Sequence, residues 1–491
     1  MLYMGVDLGT SSMKVLLMNE KGSIVKTASQ EYPLQFPKPG WSQQNPEDWW
    51  NAPCVCTKSL LDGIDGSEVI SIAVSGQMHG LVALDENDQV IRPAILWNDG
   101  RTQVETDEMN EHFGIDGLLE STGNIAFAGF TAPKLLWMRK NEPELFNKIN
   151  KIMLPKDYLV YRLTGVHSCD YSDASGMLLL DVENRCWSKK MLDYCHISES
   201  QLGRLYESYE AVGNLKPETA ELLGLSQSVI VAAGGGDNAC SAVGTGTMGD
   251  GKCNISLGTS GTVFISSEDF KLPPKGNLHS FAHADGNYHL MGCILSAASS
   301  FGWWSKNILG AVSEADEQQL ITDDDLGNNH VYYLPYLMGE RSPHNDSAAR
   351  GAFIGLTMDT TRSQMAQAVM EGVAFAIRDC VEIARELGLI VNSSGVCGGG
   401  AKSPVWRKIL ANVLRMELLV PEQEQGAGFG AGILAMVAAG QFSSTQQAFE
   451  QLKGKTTVCG YDEQIAARYE KRYETFKKLY PSLKSVFPEM A

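Results

Sequence analysis

Apolar and polar positions alternate through residues 1–6 and again through 13–18, on either side of Asp7-Leu8-Gly9-Thr10-Ser11-Ser12. This pattern predicts a β-hairpin with Gly9 to Ser12 as its turn. Further strands are expected at 23–32, 69–75, 82–90 and 94–97, and a helix over 46–61 opened by Asn45 and Pro46. From 101 to about 225 the pattern is mainly helical, clearest at 133–140 and 144–151. A strand over 229–233 then runs into Gly234-Gly235-Gly236-Asp237-Asn238, and a small-residue helix begins near Ala239.

The second half repeats this alternation. Strand-like runs at 253–256 and 262–265 flank Leu257-Gly258-Thr259-Ser260, which copies Leu8-Gly9-Thr10-Ser11. A strand follows at 289–295, then helices over 297–309 and 362–387, the latter closed by Gly388. Val396-Cys397 lead into Gly398-Gly399-Gly400-Ala401. Helices are expected over 404–414, 426–439 and 466–479, and a strand over 416–420. Four residues make a short repeat, but each copy sits between two strands. One hairpin per half implies a duplicated α/β architecture with two facing phosphate loops, divided as 1–247 and 248–491.

A chain of 491 residues exceeds one core, so two or three domains are expected. The net charge of −18 argues against nucleic acid or an anionic membrane as partner. No run of 18 apolar residues is free of charges and turn formers, and the start of the chain, broken by Asp7 and Lys14, does not read as a signal peptide. Eleven scattered cysteines without paired CxxC spacing suit reduced thiols in the cytoplasm better than disulfides or zinc.

The hairpin turn carries the first chemistry. Glycine and hydroxyl residues expose backbone N–H groups to phosphate, and Asp7 is an acceptor-only carboxylate suited to phosphate-bound Mg²⁺. The competing reading is that Asp7 only closes its own turn. Asp237, after three glycines, reads either as a helix cap or as a base for a hydroxyl attacking phosphorus. Gln77-Met78-His79 follow a strand end, where open α/β sheets bind ligands, though a lone histidine is more often structural. Gly398 to Ala401 offer a flat backbone surface to a base such as adenine.

Other motifs fail on context. Gly246 to Lys252 matches a P-loop until Cys253, and a strand follows it; the Gly454-Lys455-Thr456 ending lacks its first glycine, with Phe449 there instead. The alternating glycines at 426, 428, 430 and 432 lack dinucleotide spacing. His279 and His283 lie on a strand-like run, spaced too far for easy zinc co-ligation.

Taken together, the chain resembles the FGGY carbohydrate kinases over essentially its whole length. The carrying segments are Asp7 to Ser11, Gly76 to Gly80, Ile95 to Arg101, Gly129 to Asn141 and Leu154 to Tyr158, continuing through Gly234 to Asn238, Leu257 to Gly261, Gly339 to His344 and Gly398 to Trp406. The resemblance implies two actin-like (ribonuclease H-like) domains with a nucleotide cleft between them. It implies ATP-dependent, Mg²⁺-requiring phosphorylation of a ketopentose, D-xylulose first. Asp237 falls on the family's catalytic base, and Asp7 on its metal- and phosphate-associated carboxylate. Thr10, Ser11, Gly258 and Thr259 fall on its phosphate loops, and Gly399, Gly400 and Ala401 on nucleotide contacts. The sugar would be held by Gln77, Met78 and His79 with Asp237 and Asn238. The Gly428 to Gly432 stretch departs from an alanine-richer family pattern. A homodimer is the family-based expectation. The alternatives are a kinase for another ketose or polyol, and an ATP-driven scaffold of the same fold.

Overall fold

A computed structural model describes residues 1–310, 313–422 and 426–490. It divides into two compact units, the first made of 1–248, 280–288 and 425–453, the second of 249–279, 289–424 and 454–491. The units are therefore not the two continuous halves expected from the repeat. Residues 425–453 return to the first unit because the helix Ala427–Ala438 is apolar nearly all round and packs against that unit's sheet.

In the first unit the strand order is Ala211–Asn214, Ile230–Ala232, Val69–Gly76, Leu2–Leu8, Ser12–Asn19, Ile24–Glu31. Leu2–Leu8 pairs antiparallel with Ser12–Asn19 and parallel with Val69–Gly76. Val69–Gly76 pairs parallel with Ile230–Ala232, and Ala211–Asn214 closes the edge antiparallel. The central strands are buried on both faces. Leu2, Met4, Val6 and Leu8 join one core with Trp49, Trp50 and Leu60, while Tyr3, Leu16 and Met18 join another with Ile433 and Leu434. Near-continuous apolar strands are what a doubly covered sheet requires. The helix Pro46–Leu60 begins as expected, with Asn45 Oδ1 accepting the Glu47 N–H.

The second unit repeats the pattern. Its order is Tyr288–Ile294 (within this unit from His289 on), Gly261–Ser267, Cys253–Leu257, Ser393–Cys397, Glu417–Pro421, Thr456–Cys459. Cys253–Leu257 pairs antiparallel with Gly261–Ser267 and parallel with Ser393–Cys397. Ser393–Cys397 pairs parallel with Glu417–Pro421, and Thr456–Cys459 closes antiparallel. The helices Arg362–Glu386, Pro404–Leu414 and Glu463–Leu483 supply its core with Phe375, Trp406 and Tyr469. The duplication read from four residues is thus a duplication of sheet topology.

Local readings fail where side-chain turns or distant pairing intervene. The strand expected over 82–90 stops at Leu84, because Asp85 Oδ1 accepts the N–H groups of Asn87 and Gln89 and folds the chain back. The helix expected over 144–151 is only Pro143–Phe146; Lys151–Met153 instead pairs with Val82–Leu84. The segment read as helical from 101 to 225 also carries short strands, among them Ser168–Asp170 paired with Arg204–Tyr206. The helix expected over 297–309 is Ala298–Gly302 continued by π-helical turns to Ile308.

Candidate active site

Within the first unit, the candidate residues meet at the C-terminal ends of parallel strands, where open α/β sheets receive ligands. Asp7 lies next to Ser75 in the Leu2–Leu8/Val69–Gly76 ladder, and Gly235 lies next to Ser75 on its other side. Asp237 follows two residues later as the first residue of the helix Asp237–Gly244, with Gly236 at the cap position. Its Oδ1 accepts from the Asn238 N–H at 2.8 Å and from Asn238 Nδ2 at 3.0 Å.

Two half-buried carboxyls lie close enough here for one to feel the other's charge. Burial pushes Asp7 up to about 6, against the pull of Lys14. Burial first, and then the charge of Asp7, push Asp237 up to about 7. Perturbed carboxyls paired at a sheet end mark a site for chemistry more than for stability.

Met78 lies against Gly236, just before Asp237, whereas His79 lies against Gly176 on another segment. A Cβ on Gly236 would lie 2.9 Å from the Met78 sulfur, and one on Gly176 would lie 2.4 Å from the His79 ring. Both glycines are therefore required by side-chain proximity. His79 adopts φ +70°, an uncommon conformation for a residue with a side chain. Its Nδ1 lies 2.7 Å from the Gly176 carbonyl oxygen, and its ring stacks on Phe130 at 4.7 Å. Gln77 is placed differently from its neighbours. It is buried, its Nε2 donates to Gln44 Oε1 at 3.1 Å, and Gln44 Nε2 in turn donates to the Thr10 carbonyl at 2.8 Å. Gln77 thus ties the pocket strand to the hairpin turn.

That turn is well held. Gly9 N donates to the Ser12 carbonyl at 3.1 Å, Trp97 Nε1 donates to Thr10 Oγ1 at 3.0 Å, and Tyr32 Oη donates to the Gly9 carbonyl. Ser11 is exposed at the tip.

In the second unit, the matching turn at Gly258 and Thr259 is anchored through its carbonyls. Ala298 N donates to Gly258 O at 2.9 Å, and Ala297 N and Ser299 Oγ donate to Thr259 O at 3.0 and 2.7 Å. With the carbonyls taken, the turn can offer N–H groups to an anion. Gly398 to Ala401 lie against it. Gly398 has φ +88° and a Cβ there would stand 2.7 Å from the Leu257 backbone, whereas a Cβ on Gly399 would meet nothing within 4 Å. Gly399 therefore presents an open surface, while Gly400 and Ala401 are buried.

Of the alternating glycines, those at 428, 430 and 432 serve packing, while a Cβ on Gly426 would meet nothing within 4 Å. A Cβ on Gly430 would lie 1.8 Å from the Cys240 carbonyl oxygen, and one on Gly5 2.1 Å from the Gly428 carbonyl oxygen. The helix Ala427–Ala438 presses backbone to backbone on the strand of Asp7 and the helix of Asp237.

Sequence reasoning missed the supports behind these loops. Lys134, fully buried, donates to the carbonyls of His79 and Gly129, each at 2.7 Å. Lys156, Asp170 and Ser172 form a second buried group beneath Gly236. A lysine inside an apolar helix, as at 134, was the available signal.

Residues 2–244 match the N-terminal domain of the FGGY family of carbohydrate kinases, and residues 253–439 match its C-terminal domain. The chain belongs to the FGGY family of carbohydrate kinases. A xylulose kinase of Escherichia coli (strain K12) is 41% identical over 492 residues, covering 98% of this chain and 99% of the relative. Among solved structures, a xyloylose kinase from Brucella ovis superposes with a TM-score of 0.94 at 39% identity, covering 99% of this chain and all of that one. A gluconate kinase from Lactobacillus acidophilus reaches the same TM-score of 0.94 at 25% identity with full coverage of both chains. Kinases named for different sugars therefore share this backbone, so the fold alone does not name the sugar. No helix among the described residues is long and apolar enough to cross a membrane.

Proposed function

We propose that this FGGY kinase transfers the γ-phosphoryl group of ATP to the terminal hydroxyl of D-xylulose, giving D-xylulose 5-phosphate. The observation that carries the sugar assignment is full-length similarity at 41% identity to a protein named xylulose kinase. Met78, against Gly236 next to Asp237, and His79, which follows it in the chain, would supply the apolar and polar contacts such a sugar needs.

Asp237 is the base in this reading. Its Oδ1 is engaged by Asn238, so Oδ2 is the oxygen that accepts the proton of the 5-hydroxyl as that oxygen attacks phosphorus. The bond to the departing ADP oxygen breaks as the new P–O bond forms. In a loose transition state, orientation counts for more than basicity, so a carboxylate suffices. The turns at Thr10-Ser11 and Gly258-Thr259 hold phosphate oxygens, and Gly399, Gly400 and Ala401 carry the adenine.

Mg²⁺ fits the residues present. Asp7 is a half-buried carboxylate near a second one, both raised, and a divalent cation removes that conflict. Bound with ATP, it would neutralise charge developing on the phosphates, with Asp7 as its protein ligand. A cytoplasmic location and a homodimer belong to the same proposal.

ATP consumption across a panel of ketoses and polyols, with a no-sugar control, tests the reading. D-xylulose is expected to give the highest kcat/KM. A better polyol, gluconate included, overturns the sugar assignment, and sugar-independent turnover overturns the kinase mechanism. Asp237→Ala should lose about a hundredfold or more in kcat. Near-normal turnover in a folded variant removes Asp237 as base.

A further inference from the structure

The three residues before Asp237 are glycines, with no side chains to restrain them. Glycine has the widest backbone freedom of any residue, so this segment cannot hold a base in place on its own. One of its edges is bound by the sheet, where Gly235 and Gly236 pair with Ser75 and Gly76. The other edge is bound by a buried polar group outside the residues already assigned.

At its centre is Asp170. Its Oδ2 accepts from Ser172 N at 2.9 Å, Ser172 Oγ at 2.5 Å and Ser208 Oγ at 2.7 Å. Its Oδ1 lies 2.8 Å from Lys156 Nζ. Each serine then reaches the glycines. Ser172 Oγ accepts the Gly236 N–H at 3.1 Å, and the Ser208 carbonyl accepts the Gly234 N–H at 2.9 Å. Lys156, Asp170, Ser172 and Ser208 are all buried.

We infer that Asp170 is a positioning residue for phosphoryl transfer, acting through Ser172 and Ser208 to fix the Gly234–Gly236 backbone and so the place of Asp237. The inference rests on Asp237 being the base. The direction of the bonds supports it. Ser172 spends its only proton on the carboxylate, which leaves a lone pair, strengthened by that charge, for the Gly236 N–H. The fit is tight, since a Cβ on Gly235 would come within 3.0 Å of Ser172 Oγ and 3.3 Å of Ser208 Oγ. Lys156 also serves the second loop, because its Cβ lies 2.7 Å from where a Cβ on Gly76 would stand, directly before Gln77-Met78-His79. Asp157, Asp170 and Asp173 lie close enough together to hold a cation, and the Lys156 ammonium, paired with Asp157 and Asp170, is that cation.

The test compares Ser172→Ala, Asp170→Asn, Asp237→Ala and the double variant Ser172→Ala/Asp237→Ala in the full chain. It measures kcat, KM for sugar and for ATP, and melting temperature. Ser172→Ala should lose about ten- to a hundredfold in kcat, the cost of misplacing a reacting group by about an ångström. Its KM for ATP should stay near wild type, while its melting temperature falls as the buried Gly236 N–H loses its acceptor. In the Asp237→Ala background the same change should cost nothing further, because residues acting as one unit are not additive. Unchanged kcat in Ser172→Ala overturns the positioning role, and so does an equal loss in both backgrounds. Near-normal turnover in Asp237→Ala alone overturns the base assignment and the positioning role with it. Asp170→Asn should match or exceed Ser172→Ala; if it fails to fold, the serine variants still decide.

Discussion

Lys134 Nζ donates to the main-chain carbonyl of His79 at 2.7 Å, and Thr131 Oγ1 donates to the same oxygen at 3.0 Å. These bonds hold His79 in its left-handed conformation and so aim its ring. Burial lowers the Lys134 pKa well below the usual lysine range, with Asp99 pulling the other way. Lys134→Met keeps most of the volume but leaves the Gly129 carbonyl without its lysine donor and the His79 carbonyl with Thr131 alone. The variant should lose about 1–3 kcal/mol of stability in a thermal melt. If the loop at His79 holds the sugar as proposed, KM for the sugar should rise more than KM for ATP.

Asp237 should govern the acid limb of the pH profile. The base must be ionised, and its pKa is raised to about 7. The kcat/KM for sugar should therefore fall about tenfold per pH unit below that value and level off above it. A limb near the ordinary carboxylate range would show that another group controls activity.

The same shift has a stability consequence with a definite sign. The folded pKa lies above the unfolded one, so the native state binds the proton more tightly. Stability from this group is fully present below the unfolded value and is lost as pH rises through about 7. Asp237→Asn, which cannot ionise, should melt higher than wild type at pH 8. The difference should vanish towards pH 4. An equal melting temperature at both values would mean that the carboxylate is compensated by another charge.

Two glycine substitutions should behave oppositely. Gly430→Ala forces a Cβ to 1.8 Å from the Cys240 carbonyl oxygen, with backbone on both sides. It should cost about 1–3 kcal/mol or more and lower activity by moving the helix that begins at Asp237. Gly399→Ala meets nothing within 4 Å and stands at φ −60°. Its melting temperature should hold or rise slightly. KM for ATP should increase if adenine lies there, and an unchanged KM would remove Gly399 from the nucleotide site.

Asp7→Asn tests the metal assignment. Magnesium titration of activity should show half-saturation raised by at least about tenfold, since a liganding charge is gone. Chelation should abolish turnover in wild type. An unaltered titration would leave Asp7 with a phosphate or structural role.

The paired hairpins were legible because a turn of glycine and hydroxyl residues between apolar strands is a local signal, written twice. Asp237 was legible as a carboxylate after three glycines at a helix start. The supports were not. Lys134 reaches His79 across 55 residues, and Ser172 reaches Gly236 across 64. The short strands between 101 and 225 failed for the same reason, since Ser168–Asp170 exists only through pairing with Arg204–Tyr206. The glycines from 426 to 432 carried a visible pattern whose cause lay on other elements, Gly5 and Cys240.

By itself, then, the sequence determined the element order of the hairpins, the phosphate-type turns, the lone acids at 7 and 237, and the family they imply. Those features depend on residues near one another in the chain, where turn chemistry and periodicity act. Tertiary structure alone decided that residues 425–453 return to the first unit. It also decided that Gln77 joins the hairpin rather than standing apart, and that Asp7 comes near enough to Asp237 to act on it by charge. Burial, which raises both acids, and the charge of Asp7, which raises Asp237 further, arise only when distant strands close side by side.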